Sequence, residues 1–226
     1  MKFIIDDANT EQIKRIWEFY PVDGVTTNPS ILSKSGRQPY EVLKEIRGII
    51  GQDKELHVQV ISRDAEGMIK EAHAITSQLG RDTYVKIPST EQGFKAMKAL
   101  TAEGGFHITA TAIYTPMQAF LAGKSGADYA APYVNRIDNL GANGIETAIA
   151  IHDIFKANGF KTEVLAASFK NSQQVLELCR HGIGASTISC DVINGLVKNP
   201  AVTAAIEAFI ADFEKLCGAG KNMANI

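Results

Sequence analysis

The chain alternates. Short apolar stretches with strand character are each followed by a longer stretch with helical spacing, and the pair recurs eight times. The strand candidates are KFIID (2–6), GVTTN (24–28), LHVQVI (56–61), YVKIP (84–88), HITATAI (107–113), YAAPYV (129–134), EVLAAS (163–168) and ASTIS (185–189). Their first residues lie 22, 32, 28, 23, 22, 34 and 22 positions apart. A parallel strand–helix–strand crossover needs at least about a dozen residues, so each interval holds one βα unit and little more. No repeat of the sequence itself accompanies the structural one.

The intervening stretches carry helix signals of their own. Asp64 precedes AEGMIKEAHAITSQL, which sets Met68, Ile69, Ala72, Ile75 and Leu79 on one face. Thr90 is the expected N-cap of the next helix, with Phe94, Met97 and Leu100 facing inward. Gly104–Gly105 and Gly159 are placed to end helices. No Pro/Ser-rich linker or charge block divides the chain, so one domain over residues 1–226 is expected.

Strict alternation has two main solutions, an open doubly wound sheet and a closed barrel. Eight units in about 220 residues match the (β/α)8 TIM barrel near the short end of its range. There is no G-x-G-x-x-G or G-x-x-x-x-G-K-[ST], which weighs against a nucleotide-binding open sheet. An α/β chain folded as a (β/α)8 barrel is therefore expected.

Charge and composition exclude several partners. The formal net charge is -2, which gives no electrostatic case for nucleic acid or an anionic membrane. Cys179, Cys190 and Cys217 are few, odd in number and unpatterned, as suits a reducing cytoplasm rather than a disulfide framework. No apolar run approaches 18 residues, and MKFIIDDANT lacks an apolar core, so neither a membrane span nor a signal peptide is expected. The five histidines, His57, His73, His107, His152 and His181, show no metal-ligand spacing with carboxylates or cysteines. No metal or cofactor is expected, and no serine nucleophile elbow is present.

In a barrel the C-terminal strand ends form the active face. Here they carry Asp6, Asn28, Gln59, Lys86, Thr111, Tyr133 and Ser168, whereas the N-terminal halves are mostly apolar. Unpartnered buried polar groups cost several kcal/mol, so their convergence on one mouth implies that they satisfy one another and a ligand. Lys86 is the sharpest of them. It lies between Val85 and Ile87 and so points away from both. Ion pairing with Asp6, or snorkelling to the mouth, would account for it structurally. A functional account is an amine nucleophile: desolvation lowers a lysine pKa, and the free amine attacks a carbonyl to form a Schiff base. The iminium is an electron sink that permits cleavage of the adjacent carbon–carbon bond. Asp6 can hold a substrate hydroxyl or relay protons; Asp7, on the opposite face, is expected at the surface or at a helix start. Tyr133 is either a general acid–base or a packed aromatic with its hydroxyl in solvent. Gln59 and Thr111 can hold a water between them. Arg136, Ser168 and Lys170 follow strands six and seven, where barrels commonly bind phosphate, although surface charge explains a lone Lys170 equally well. Cys190 is expected to be a small buried residue.

GVTTNPSIL (24–32), QVISRDAEGM (59–68), VKIPSTEQG (85–93), TAIY (111–114), APYVNRID (131–138) and VLAASFKN (164–171) together resemble the small transaldolase family, and within it the fructose-6-phosphate aldolases. The resemblance runs from residue 3 to about residue 215, in order. It implies a (β/α)8 barrel and class I aldol chemistry without a cofactor, with Lys86 as the Schiff-base lysine. It implies that Asp6 and Asn28 serve substrate hydroxyls and proton traffic, and that Ser168 and Arg136 serve the phosphorylated end. It also implies a homo-oligomer, a pentamer or decamer, with a C-terminal helix reaching a neighbour. In the tail, about 201–217, Ile206, Phe209, Ile210, Phe213 and Leu216 form an apolar stripe that suits a neighbour or the bottom of its own barrel. Transaldolases resemble one another in having Glu on strand three and Phe on strand six, where aldolases have Gln and Tyr; Gln59 and Tyr133 imply the aldolase. Transfer of a dihydroxyacetone unit between sugar phosphates is the alternative. Thr109 and Ser89 depart from the family by standing where apolar residues are usual.

Overall fold

In the computed structural model, which describes all 226 residues, the strands are β1 (Lys2–Asp6), β2 (Gly24–Thr26), β3 (Glu55–Gln59), β4 (Thr83–Pro88), β5 (His107–Ile113), β6 (Tyr129–Pro132), β7 (Glu163–Ala166) and β8 (Ala185–Ile188). Each pairs in parallel with the next, and β8 returns to β1, closing the barrel. The helices are α1 (Thr10–Phe19), α2 (Pro29–Lys34), α3 (Pro39–Ile50), α4 (Ala65–Leu79), α5 (Glu91–Glu103), α6 (Pro116–Lys124), α7 (Val134–Asn139), α8 (Gly144–Ala157), α9 (Ser172–His181), α10 (Cys190–Leu196) and α11 (Pro200–Cys217). The protein is thus a (β/α)8 TIM barrel with a C-terminal helix.

Local chemistry starts the helices where expected. Thr90 caps α5 by accepting from the Gly93 N–H, and Asp64 caps α4 by accepting from the Gly67 N–H. Met68, Ala72, Ile75 and Leu79 of α4 are buried, as are Met97 and Leu100 of α5; Ile69 and Phe94 are only partly covered. Gly104 ends α5, and Gly159 follows α8 with φ 63°.

Period-two alternation splits the apolar side chains into two cores. Val25, Leu56, Val85, Ile87 and Val164 face the helices. Ile4, Tyr129, Ala131, Leu165 and Ala185 fill the barrel interior. That interior is not apolar in its N-terminal half, contrary to the sequence expectation. Lys2 and the fully buried His57 meet there on Glu55, and Tyr129 donates to Glu55 Oε1 at 3.1 Å. His57 Nε2 lies 3.2 Å from Glu55 Oε2, and Nδ1 lies 2.9 Å from Thr109 Oγ1. Burial lowers the His57 pKa and favours the neutral ring, which then donates from Nε2 to Glu55 and accepts at Nδ1 from Thr109. The network is formed between strands, so no single strand reveals it.

The chain divides into two compact units, Met1–Ile193 and Asn194–Ile226. The first contains the whole barrel. The second is built on α11, which has no buried residue; Ile206, Phe209, Ile210 and Leu216 are exposed. No helix is long and apolar enough to cross a membrane.

Candidate active site

Lys86 is the only buried lysine, 5% exposed. Its neighbours Val85 and Ile87 face the helices, which turns Lys86 into the barrel. Nζ donates to the Thr27 carbonyl at 2.8 Å. That carbonyl is fixed because the Thr27 N–H donates to the His57 carbonyl at 2.9 Å, extending the β2–β3 ladder by one residue. Burial pushes the Lys86 amine pKa down, against a smaller upward pull from the Asp6 carboxylate. Asp6 is moved the other way: burial raises it, while the Lys86 charge and the Thr26 hydroxyl hold it back. Thr26 Oγ1 donates to Asp6 Oδ1 at 2.8 Å and lies 2.6 Å from Thr187 Oγ1, so Thr187 must donate to Thr26. This chain from β8 through β2 aims the carboxylate.

Three strand assignments are corrected at the mouth. Tyr133 is not in β6, which ends at Pro132; it occupies the N-cap position of α7, with an isolated bridge to Ala167. Asn28 is not in β2 but caps α2, its Oδ1 accepting from the Ile31 N–H at 3.0 Å. Ser168 lies beyond β7, which ends at Ala166. In each case a side chain or turn captures the backbone sooner than apolar character alone suggests.

The Tyr133 hydroxyl lies 2.8 Å from Thr111 Oγ1, and the Arg136 guanidinium sits 4.6 Å from the Tyr133 ring centroid. Burial raises the Tyr133 pKa, partly offset by the Thr111 bond and by Arg136. Thr111 belongs to an irregular part of β5: the register to β6 shifts between Ala110 and Ile113, and Ala112 has φ 56°. Ser168, with φ 63°, is the only other non-glycine residue at positive φ. Backbone strain of this kind persists only where the surroundings enforce it, and both instances flank the mouth.

A cavity of about 790 Å3 opens here, lined among others by Asp6, Asn28, Lys86, Tyr133, Arg136 and Ser168. Lys34 and Arg37, which the sequence did not single out, line it too, as does Asp7, whose Oδ1 also accepts from the Ala8 and Asn9 N–H groups. Gln59 and Thr111 do not line it. Gln59 Oε1 and Ser89 Oγ are buried without a protein partner, a state that calls for water or ligand. Lys170 is exposed and outside the lining; its N–H binds Gln174 Oε1 at 2.8 Å. Cys190 is buried and lines the cavity, with burial raising its thiol pKa.

Fold and site together define a (β/α)8 barrel with a buried amine and an arginine at the strand C-termini. The chain belongs to the transaldolase/fructose-6-phosphate aldolase family, whose model matches residues 3–226. It is 42% identical over 216 residues to a protein named "Probable transaldolase" from Thermodesulfovibrio yellowstonii, spanning 96% of this chain and 99% of the relative. It is 41% identical over 214 residues to a "Probable fructose-6-phosphate aldolase" from Streptococcus pneumoniae, spanning 94% and 96%. Among solved structures, a thiamine phosphate pyrophosphorylase from Pyrococcus furiosus superposes with TM-score 0.56 at 16% identity, covering 83% of this chain and 84% of that one. A mutant flavocytochrome b2 with benzoylformate superposes with TM-score 0.60 at 9% identity, covering 86% and 60%. These two likenesses are of fold alone.

Proposed function

We propose that the protein is a class I aldolase, cleaving fructose 6-phosphate reversibly to dihydroxyacetone and glyceraldehyde 3-phosphate. The observation that carries this is Lys86: a buried amine whose charge is disfavoured, opening on a cavity that also holds Arg136. The neutral amine adds to the C2 carbonyl, and loss of water leaves an iminium. A base takes the C4 hydroxyl proton, the C3–C4 bond breaks, and its electron pair flows into the iminium to give an enamine as glyceraldehyde 3-phosphate departs. Protonation at C3 and hydrolysis then release dihydroxyacetone and the free amine. Tyr133, coupled to Thr111, is the acid–base assigned to these transfers. Asp6 serves carbinolamine proton traffic, and Asn28 a substrate hydroxyl. Gln59, with its unpaired Oε1, holds the hydrolytic water. Arg136 and Ser168 take the phosphate; Lys170 assists only from outside the cavity wall. The chain works as a homo-oligomer, and its unpaired cysteines suit the cytoplasm.

Transaldolase activity is the second reading, favoured by the name that several relatives carry. The two differ in the fate of the enamine. Purified protein given fructose 6-phosphate alone should release many equivalents of glyceraldehyde 3-phosphate per site. Release that stops at one equivalent and resumes with erythrose 4-phosphate would make it a transaldolase. In either case borohydride should trap one adduct per chain, and K86M should abolish both trapping and turnover; full turnover by K86M would remove the mechanism.

A further inference from the structure

His152 and Asp153 are neighbours on α8, and His181 is the last residue of α9. Both helices run against the strands, so their C-terminal ends lie toward the N-terminal face of the barrel, away from the cavity. His152 is partly buried, and Asp153 and His181 are exposed. One ligand atom from each lies within 4.8 Å of the other two. His181 Nε2 is 3.1 Å from Asp153 Oδ1, and the two imidazoles meet edge to face with centroids 5.3 Å apart. The spacing in the sequence conceals this group. Adjacent helical positions diverge by about 100°, so His152 and Asp153 share a partner only because the end of α9 lies across both.

We propose that His152, Asp153 and His181 bind a borderline first-row divalent cation, Zn2+ foremost, with water completing a tetrahedron. Two imidazoles and one carboxylate suit Zn2+, whereas Mg2+ and Ca2+ require oxygen ligands throughout. Ligand atoms about 2.0–2.1 Å from a tetrahedral Zn2+ stand about 3.3 Å from one another. The His181–Asp153 edge already has that length, and the two edges to the partly buried His152 close by about 1.5 Å or less, chiefly through rotation of the exposed Asp153 and His181. The field is mixed. Glu163, at the start of β7, favours a cation near His152, while Lys156, one turn further along α8, opposes it. Arg180 is held 3.2 Å from both carboxylate oxygens of Glu177, which offsets its charge. A bound cation would tie α8 to α9 and so brace the β7 unit.

The test uses the full-length, tag-free chain, stripped with chelator and titrated with Co2+, whose visible bands report tetrahedral coordination. One Co2+ per chain is expected, displaced by Zn2+, and Zn2+ should raise the melting temperature. H181A and D153N should each weaken binding at least about tenfold, and C179S should leave it unchanged. D153N is nearly isosteric at an exposed position, so its effect does not pass through unfolding. Absence of binding to the unaltered chain would overturn the proposal, as would full affinity in both H181A and D153N. Loss confined to C179S would move the ion to the exposed Cys179 thiol and overturn it as well.

Discussion

Lys86 is buried between two opposing influences. Desolvation disfavours its charge, and Asp6 favours it, with desolvation the larger. The nucleophilic form is the neutral one, so Schiff-base formation should rise with pH through a Lys86 pKa that lies below the usual lysine value. Replacing Asp6 by Asn removes the only charge that raises that pKa, which must then fall. D6N should therefore move the acid limb of the borohydride-trapping rate to lower pH, whatever it does to the maximal rate. A limb that stays fixed, or moves to higher pH, would show that Asp6 does not act on Lys86 through its charge. Thr109 illustrates a different lesson at this scale. Its hydroxyl is directed to His57 Nδ1, so its departure from apolar character belongs to the interior network.

At the scale of the element, α11 is anomalous. It has 18 residues and buries none of them, although an amphipathic helix normally gains its stability by covering its apolar face. Ile206 and Phe209 lie three positions apart on that face, 50% and 71% exposed. If, as proposed, the chain self-associates and does so through α11, I206E and F209E together should reduce the sedimenting mass to that of one chain. The thermal unfolding of the barrel should change little apart from the loss of association, because neither side chain is buried. An unchanged mass would place the interface elsewhere.

A partly buried carboxylate, Glu55, joins strands at the N-terminal end of the barrel. Burial alone would raise the Glu55 pKa, but the His57 and Lys2 bonds outweigh it and hold the carboxyl at about 2, against 4.5 for the free side chain. A lowered folded pKa means the stabilisation is complete above pH 4.5 and is lost as pH falls toward 2. A difference of that size corresponds to at most about 3 kcal/mol, and solvent screening of the 46% exposed Lys2 reduces its share. Denaturant unfolding should thus show stability falling steeply between pH 4.5 and 2, and E55Q should flatten that slope while lowering stability at neutral pH. An unaltered slope would place the acid-sensitive group elsewhere. Much was legible beforehand. Eight apolar strands separated by helical stretches required a parallel βα fold, and a lysine flanked by Val85 and Ile87 had to face opposite to them, since both follow from periods within a few residues. Tyr133, Asn28 and Ser168 were recognised, but their backbone setting was not, because caps and turns compete locally with strand pairing. The partners were not legible at all. Thr27 for Lys86, Thr187 through Thr26 for Asp6, the Glu55 network, and His181 for His152 and Asp153 join residues from separate elements. The alternation of strands and helices, and the opposition of Lys86 to Val85 and Ile87, are properties of short stretches of chain and so can be read from the sequence. That Lys86 faces the barrel interior, what it touches there and which charges surround it follow from the closed barrel, because closure is what brings distant side chains within bonding distance.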